Sequence, residues 1–216
     1  MDYSMYTINT LLFLAAWLAY FIVHSLLASL AVKKWIAARW PDFMPAYRLA
    51  FNMIALVLLL PILWLMVALS WPALWQWQDT SKWIANGLSV LAVLGFVWSL
   101  RYYDMQEFLG LKQWRGHVTT AEDQESFQLS PLHRFVRHPW YFFAIILLWA
   151  RDMNTAQFLT SVMASLYFTI GARLEERKLL VYHGERYRRY MERVPGLFPL
   201  PWKCLSATEA KKLCSD

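Results

Sequence analysis

Cysteine is scarce in this 216-residue chain: only Cys204 and Cys214 occur, both in the polar C-terminal tail. That excludes a disulfide framework and a cysteine metal centre. Charge is thin as well, at 17% of residues against 58% hydrophobic, which excludes an ordinary soluble domain. The seven glycines are scattered, and GxGxxG, Walker-type, HExxH and CxxC patterns are missing, so nothing points to a soluble nucleotide-binding enzyme or a metal site. The formal charge of +6 raises nucleic acid as a partner. The cations, however, stand between apolar runs, as in cytoplasmic loops of membrane proteins, and nucleic acid is not expected.

What the chain has in abundance is apolar length. Three runs, roughly Ile8 to Val32, Leu49 to Trp71 and Trp83 to Leu100, can each span about 30 Å as helices. The first is preceded by MDYSMYT, which lacks the cations of a signal peptide, so it reads as a retained span although SLA before Val32 resembles a cleavage site. Trp71, Trp75, Trp77 and Trp83 cluster at the second connection as an interfacial aromatic belt. Lys33, Lys34, Arg39 and Arg48 fill the first connection, Arg101 through Arg137 populate the third, and the tail from Arg173 is basic. Positive-inside reasoning then puts the N-terminus outside and these three basic segments in the cytoplasm.

The stretch RHPWYFFAIILLWARDMN, from Arg137 to Asn154, breaks the pattern. Trp140 to Ala150 gives only about 16 Å of apolar helix, too short to cross alone. The RDMN turn offers Asp152, Asn154 or Thr155 as a cap for the next helix, Ala156 to Ala172, so the two segments read as a tight helical hairpin. The fold expected is all-α and membrane-integral, with about five transmembrane helices including this hairpin and a cytoplasmic amphipathic tail. Pro139 would start the fourth helix with Arg137, His138 and Tyr141 at its mouth, where Arg173, Glu175 and Glu176 return. Such convergence makes a polar pocket at the rim of an apolar bundle, open to a charged amphipathic molecule from the cytosol and a hydrophobic one from the membrane.

Each signal also has a plainer reading. Arg137 could anchor in lipid headgroups, His138 could cap a helix, and Glu175 and Glu176 could be solvated acids past a membrane exit. YHGERYRRYMERVP reads on periodicity as an amphipathic helix lying on the bilayer. His24 is ionisable at membrane depth, a functional hint, yet a histidine bonded between helices packed through Ser25, Ala28, Ser29 and Ala31 is the commoner outcome.

Taken in order, RHPWY (137–141), LEERKLL (174–180), HGERYRRY (183–190) and RVPGLFP (193–199) resemble the C-terminal signature of the integral-membrane isoprenylcysteine carboxyl methyltransferases and phospholipid methyltransferases. Looser matches at HSLLAS (24–29), DMQEFLGLKQ (104–113) and LLWARDMNTAQFL (147–159) resemble the bacterial methanethiol S-methyltransferase group within that superfamily. The resemblance implies S-adenosyl-L-methionine as cofactor, bordered by Arg137, His138, Pro139 and Tyr141, with Glu175 or Glu176 holding its amino group. Where the family reads roughly GPYRYVRHP this chain reads PLHRFVRHP, so Pro131 replaces a glycine and the tyrosine's cofactor contact falls on His133. The arginine that meets substrate in the prenylcysteine enzymes falls near Gly171, with Arg173 close by.

The implied organisation is a three-helix transmembrane region over 1–101, a cytoplasmic connection over 102–136, a hairpin and cofactor-binding region over 137–203, and a polar tail over 204–216. Methyl transfer from a sulfonium needs alignment and exclusion of water above all. The expected function is S-methylation of a small thiol such as methanethiol to dimethyl sulfide, in a bacterial inner membrane, with no metal. His24, or a tyrosine or arginine, would assist loss of the thiol proton. The alternatives are a phospholipid or isoprenoid-type lipid acceptor, and a non-catalytic membrane accessory protein.

Overall fold

The computed structural model describes residues 3–118, 127 and 129–215. Asp2 and the part of the third connection numbered 119–126 and 128 lie outside the described residues. In chain order the helices are α1 (Tyr3–Ala28), α2 (Leu30–Arg39), α3 (Met44–Ala68), α4 (Asp79–Ser99), α5 (Met105–Leu109), α6 (Leu111–Arg115), α7 (Pro139–Trp149), α8 (Thr155–Arg193) and α9 (Ala207–Ser215). Strand is confined to Ala73–Trp75 and Met153–Asn154 among the described residues. The chain is an all-α membrane protein: α1, α3 and α4 are each long and apolar enough to cross a bilayer. In their most apolar windows only 11%, 6% and 17% of residues are buried, so most of that apolar surface faces outward and needs lipid to cover it.

The helices fall into two compact units. The first comprises Met1–Leu74, Tyr103–Gln124 and Asn154–Leu159. Its first apolar run is not one helix to Val32 as the sequence suggests: α1 ends at Ala28. Ser29 adopts an extended conformation, its hydroxyl donating to Leu26 O and accepting from Val32 N, so it caps α2 instead of continuing α1. The cations Lys33, Lys34 and Arg39 thereby ride on a separate short helix. Gly110, between α5 and α6, has φ +90°, and a Cβ there would come within 2.7 Å of Leu49 N. Only glycine allows this corner to press on α3, where the Asn52 amide donates to Phe108 O and Leu109 O, both at 3.2 Å. At the start of α8, Asn154 Oδ1 accepts from Gln157 N at 2.8 Å, which makes Asn154 the cap of this helix.

The second unit comprises Trp75–Tyr102, Glu125–Met153 and Thr160–Asp216. Here α4 and α7 pack closely because Gly95 lacks a side chain: a Cβ would stand 2.6 Å from Phe143 Cζ. Trp140 Nε1 donates to Ser99 Oγ at 2.8 Å across the same contact. The hairpin is stitched by Trp149 Nε1 to Ser165 Oγ at 3.0 Å and Ser161 Oγ to Leu148 O at 3.1 Å. Asp152 does not cap α8; it accepts from Trp77 N at 2.9 Å, while Trp77 Nε1 donates to Arg151 O.

Past Ala172, α8 runs on without a stop until Gly184, whose φ of 52° and ψ of −127° redirect it. The segment after the bend differs from the bilayer-lying helix that its charge pattern suggests. Tyr187, Tyr190 and Val194 are buried together with Leu205 and Ala210 from the tail. The tail covers these three side chains. The tail carries α9, fastened by Arg134 Nε to Leu205 O at 2.9 Å, Leu205 N to Arg134 O at 3.0 Å, and an ion pair of Arg193 with Glu209 at 2.9 Å.

Candidate functional site

Pro139 opens α7 at its first helical position, with fixed φ and no N–H to leave unsatisfied, and His138 precedes it as the cap residue. The backbone ahead of the proline is held by a facing segment: Arg137 N donates to Pro195 O at 2.9 Å and His138 N to Gly196 O at 3.0 Å. These two bonds aim both side chains at α8. Arg137 Nε and Nη2 each lie 2.8 Å from Glu176 Oε1, and His138 Nε2 is 3.0 Å from the same oxygen. The third guanidinium nitrogen of Arg137, Nη1, donates to the carbonyls of Met191 and Val194. Gly196 leaves room for this cluster, since a Cβ there would stand 3.3 Å from Arg137 Nη2.

The group is nearly sealed, with Arg137 and Glu176 side chains 12% and 11% exposed and His138 6%. Burial pushes the Glu176 carboxyl up, but hydrogen bonds from His138 and Arg137 and the guanidinium charge outweigh it, leaving the group below the usual carboxylate range. Glu176 is therefore an anion held inside the protein. All three donors converge on Oε1, and Oε2 takes no donor from any described residue.

An aromatic stack borders the carboxylates. His138 and Tyr141 rings lie 5.3 Å apart and 9° from parallel, and Tyr141 and Phe168 5.0 Å apart and 10° from parallel. Tyr141 Oη reaches Glu175 Oε2 at 3.5 Å, at the limit of a hydrogen bond, and His138 Nδ1 is 3.6 Å from the same oxygen. Glu175 is exposed where Glu176 is buried, so the two acids have different standing. His133 lies upstream, its Nδ1 receiving Ser130 N–H at 3.2 Å and facing Ser130 Oγ at 2.8 Å. Burial, and then the nearby His138, push this imidazole down to about 4, so it is neutral at physiological pH with its proton on Nε2.

Arg137, His138, Pro139, Tyr141, Glu175 and Glu176 are thus brought together, and His133 lies near them. His24 belongs to the first unit, where its ring stacks 5.7 Å from Tyr20 and lies 4.9 Å from Phe51. The sequence reading does not single out Tyr187, which is 2% exposed and packs with Tyr190 and Val194. The spacing of Tyr187, Tyr190 and Val194 was its signal, hidden among arginines. Among the described residues no group of three or more His, Cys, Asp or Glu could hold a metal ion.

Over 190 residues the chain is 30% identical to a methanethiol S-methyltransferase of Mycobacterium tuberculosis, covering 83% of the chain and 74% of that protein. The chain belongs to the methanethiol S-methyltransferase family. A methanethiol S-methyltransferase of Bradyrhizobium diazoefficiens shares 31% identity over 189 residues, 84% of the chain, and one from Pseudomonas deceptionensis 29% over 187 residues, 82% of the chain. The matched region spans 63% of the length of the Bradyrhizobium family member, less than two thirds, and 68% of the Pseudomonas one. No family model matches, and no solved structure matches at a significant level.

Proposed function

We propose that the protein is a membrane methyltransferase that uses S-adenosyl-L-methionine to S-methylate a small thiol, with methanethiol as acceptor and dimethyl sulfide as product. The likeness to proteins named methanethiol S-methyltransferase supports the acceptor. The observation that carries the cofactor is Glu176: a largely buried anion whose Oε2 takes no donor from any described residue fits an ammonium such as the amino group of that cofactor. When bound, the cofactor supplies a sulfonium methyl group that a thiolate takes up, giving a methyl thioether and S-adenosylhomocysteine.

The residues of the chain then divide the work. Arg137 and His138 hold Glu176 in one orientation, so the carboxylate meets its ligand without reorganising. Tyr141, stacked with both His138 and Phe168, helps build an aromatic wall that excludes water, and Pro139 starts the helix that carries it. Glu175 stands at the exposed edge, beside the Tyr141 hydroxyl. His133, neutral, offers an Nε2–H donor. His24, half-buried in an apolar span, is the group proposed to accept the thiol proton. The loop cations orient the N-terminus outward and the site toward the cytoplasm of a bacterial inner membrane.

The test is dimethyl sulfide in the headspace of detergent-purified or membrane-bound protein supplied with methanethiol and S-adenosylmethionine. Wild type should produce it; Glu176→Gln should lose on the order of a hundredfold in kcat/KM. His24→Ala should lower kcat with little change in cofactor affinity. A folded wild type that yields no methyl thioether overturns the reading.

A further inference from the structure

The charge pattern of the sequence puts a bilayer contact on the helical segment after Gly184, but Tyr187, Tyr190 and Val194 of that segment pack against the tail. An exposed aromatic patch lies just beyond it. The loop 197–204 starts where Gly196 pairs with His138 and ends where Leu205 pairs with Arg134, so it flanks the segment that carries Phe135. Its tip is a tight turn, closed by Lys203 N donating to Leu200 O at 2.9 Å. Pro199 and Pro201 restrict the backbone on both sides of Leu200, which stiffens the tip. Trp202 stands on it 76% exposed, and Phe135 and Phe198 are exposed as well. Aromatic surface of this extent marks a contact with something apolar.

The second unit itself sets the depth of the patch. With 21 residues, α4 is about 31 Å long, the thickness of a bilayer core. Its last residue, Ser99, accepts Trp140 Nε1–H at 2.8 Å, so the first turn of α7 stands level with the end of a spanning helix. Phe198 meets that turn, its ring edge-on to Phe142 at 6.2 Å. At the same end of α4, the Arg101 guanidinium lies over the Trp98 ring at 5.5 Å, and Trp98 stands edge-on to Tyr102 at 5.2 Å. Aromatic rings beside cations are what a membrane–water border selects. The patch repeats that chemistry: the Arg134 guanidinium lies over the Phe135 ring at 5.4 Å, and Lys203 follows Trp202. Neither LSPLHRFVRHP (129–139) nor GLFPLPWKCLS (196–206) contains an acid, so the two segments suit an anionic surface.

We propose that Phe135, Phe198 and Trp202, with Arg134 and Lys203, form a membrane-docking patch that sits in the bilayer interface and meets anionic phospholipid headgroups. Its rings enter the border region and its two cations take the phosphates. The loop leaves directly from Pro195 and Gly196, whose carbonyls hold Arg137 and His138, so lipid that holds the turn also steadies the segment that aims both residues at Glu176. The proposal does not depend on the identity of the cofactor or acceptor.

Cys204, exposed and two residues beyond Trp202, can carry a reporter. With Cys214→Ser, a nitrobenzoxadiazole dye on Cys204 of the full chain would be read in nanodiscs of phosphatidylcholine, alone or mixed with phosphatidylglycerol, containing lipids with a nitroxide at the headgroup. The nitroxide should dim the dye, and more so with phosphatidylglycerol present. Trp202→Ser, which removes only an exposed indole, should cut that quenching roughly twofold or more, and Lys203→Gln should abolish the added effect of phosphatidylglycerol. Unchanged melting temperatures would register that both variants are folded. A dye that the lipid nitroxide leaves bright, or quenches equally in wild type and Trp202→Ser, overturns the proposal. So does a dye shielded from both the nitroxide and aqueous iodide in discs that hold two copies, an outcome that assigns the patch to a second copy of the chain.

Discussion

Arg137 decides whether Glu176 can remain charged, because it supplies two of the three donors on Oε1 and is itself anchored by two carbonyls. Removing it would strand a nearly sealed carboxylate. Arg137→Leu should therefore destabilise the protein by about 3–5 kcal/mol, read as a large fall in melting temperature. Proton linkage follows from Glu176 and His133 together. Glu176 has a depressed folded-state pKa, so its stabilisation is present above the ordinary carboxylate range and is lost as pH falls through the folded value. His133 is also depressed, from 6.5 to about 4, so in that interval the unfolded chain binds the extra proton and stability falls on acidification. The melting temperature should drop between pH 6.5 and 4, and His133→Asn, whose Oδ1 can replace Nδ1 as acceptor of the Ser130 N–H, should flatten that part of the curve. An unchanged slope in the variant would refute this.

Among the elements, the α4–α7 contact leaves little room for change. A Cβ at Gly95 would fall 2.6 and 2.8 Å from two atoms of the Phe143 ring, so Gly95→Val must displace that ring, which is packed between α4 and α7. Overpacking of this kind costs about 1–3 kcal/mol, and because α7 carries Pro139 and Tyr141 it should also weaken cofactor binding. Retained stability together with wild-type affinity would show that the ring moves without disturbing the site. Much of the hairpin was legible in the sequence: the short apolar run, the proline at its head and the returning acids each have local signals, and Arg137 does meet Glu176. Ser29 was not, because one small hydroxyl inside an apolar run looks like packing until its bonds to Leu26 and Val32 are seen. Tyr187 escaped for a related reason. Periodicity shows which residues share a face, but only the tail folding back reveals that Leu205 and Ala210 pack with them.

For the whole molecule, the apolar helices and the polar cluster answer to different forces. The spans leave most of their apolar surface facing outward, whereas the second unit builds a small core of its own from Tyr187, Tyr190, Val194, Leu205 and Ala210. Removing residues 204–216 should expose that core and cost about 2–4 kcal/mol, while α1, α3 and α4 remain inserted, as protease protection in membranes would register. If the shortened chain binds S-adenosylhomocysteine as tightly as the full one, the tail has no part in shaping the site. The paired bonds from Arg137 and His138 to Pro195 and Gly196 impose an order on biosynthesis. During translation the apolar helices can enter the bilayer as they emerge, but His138 waits for Gly196, and Arg134 for Leu205, to leave the ribosome. A chain stalled short of those residues would have its apolar helices in place but lack the two carbonyls that aim Arg137 and His138 at Glu176.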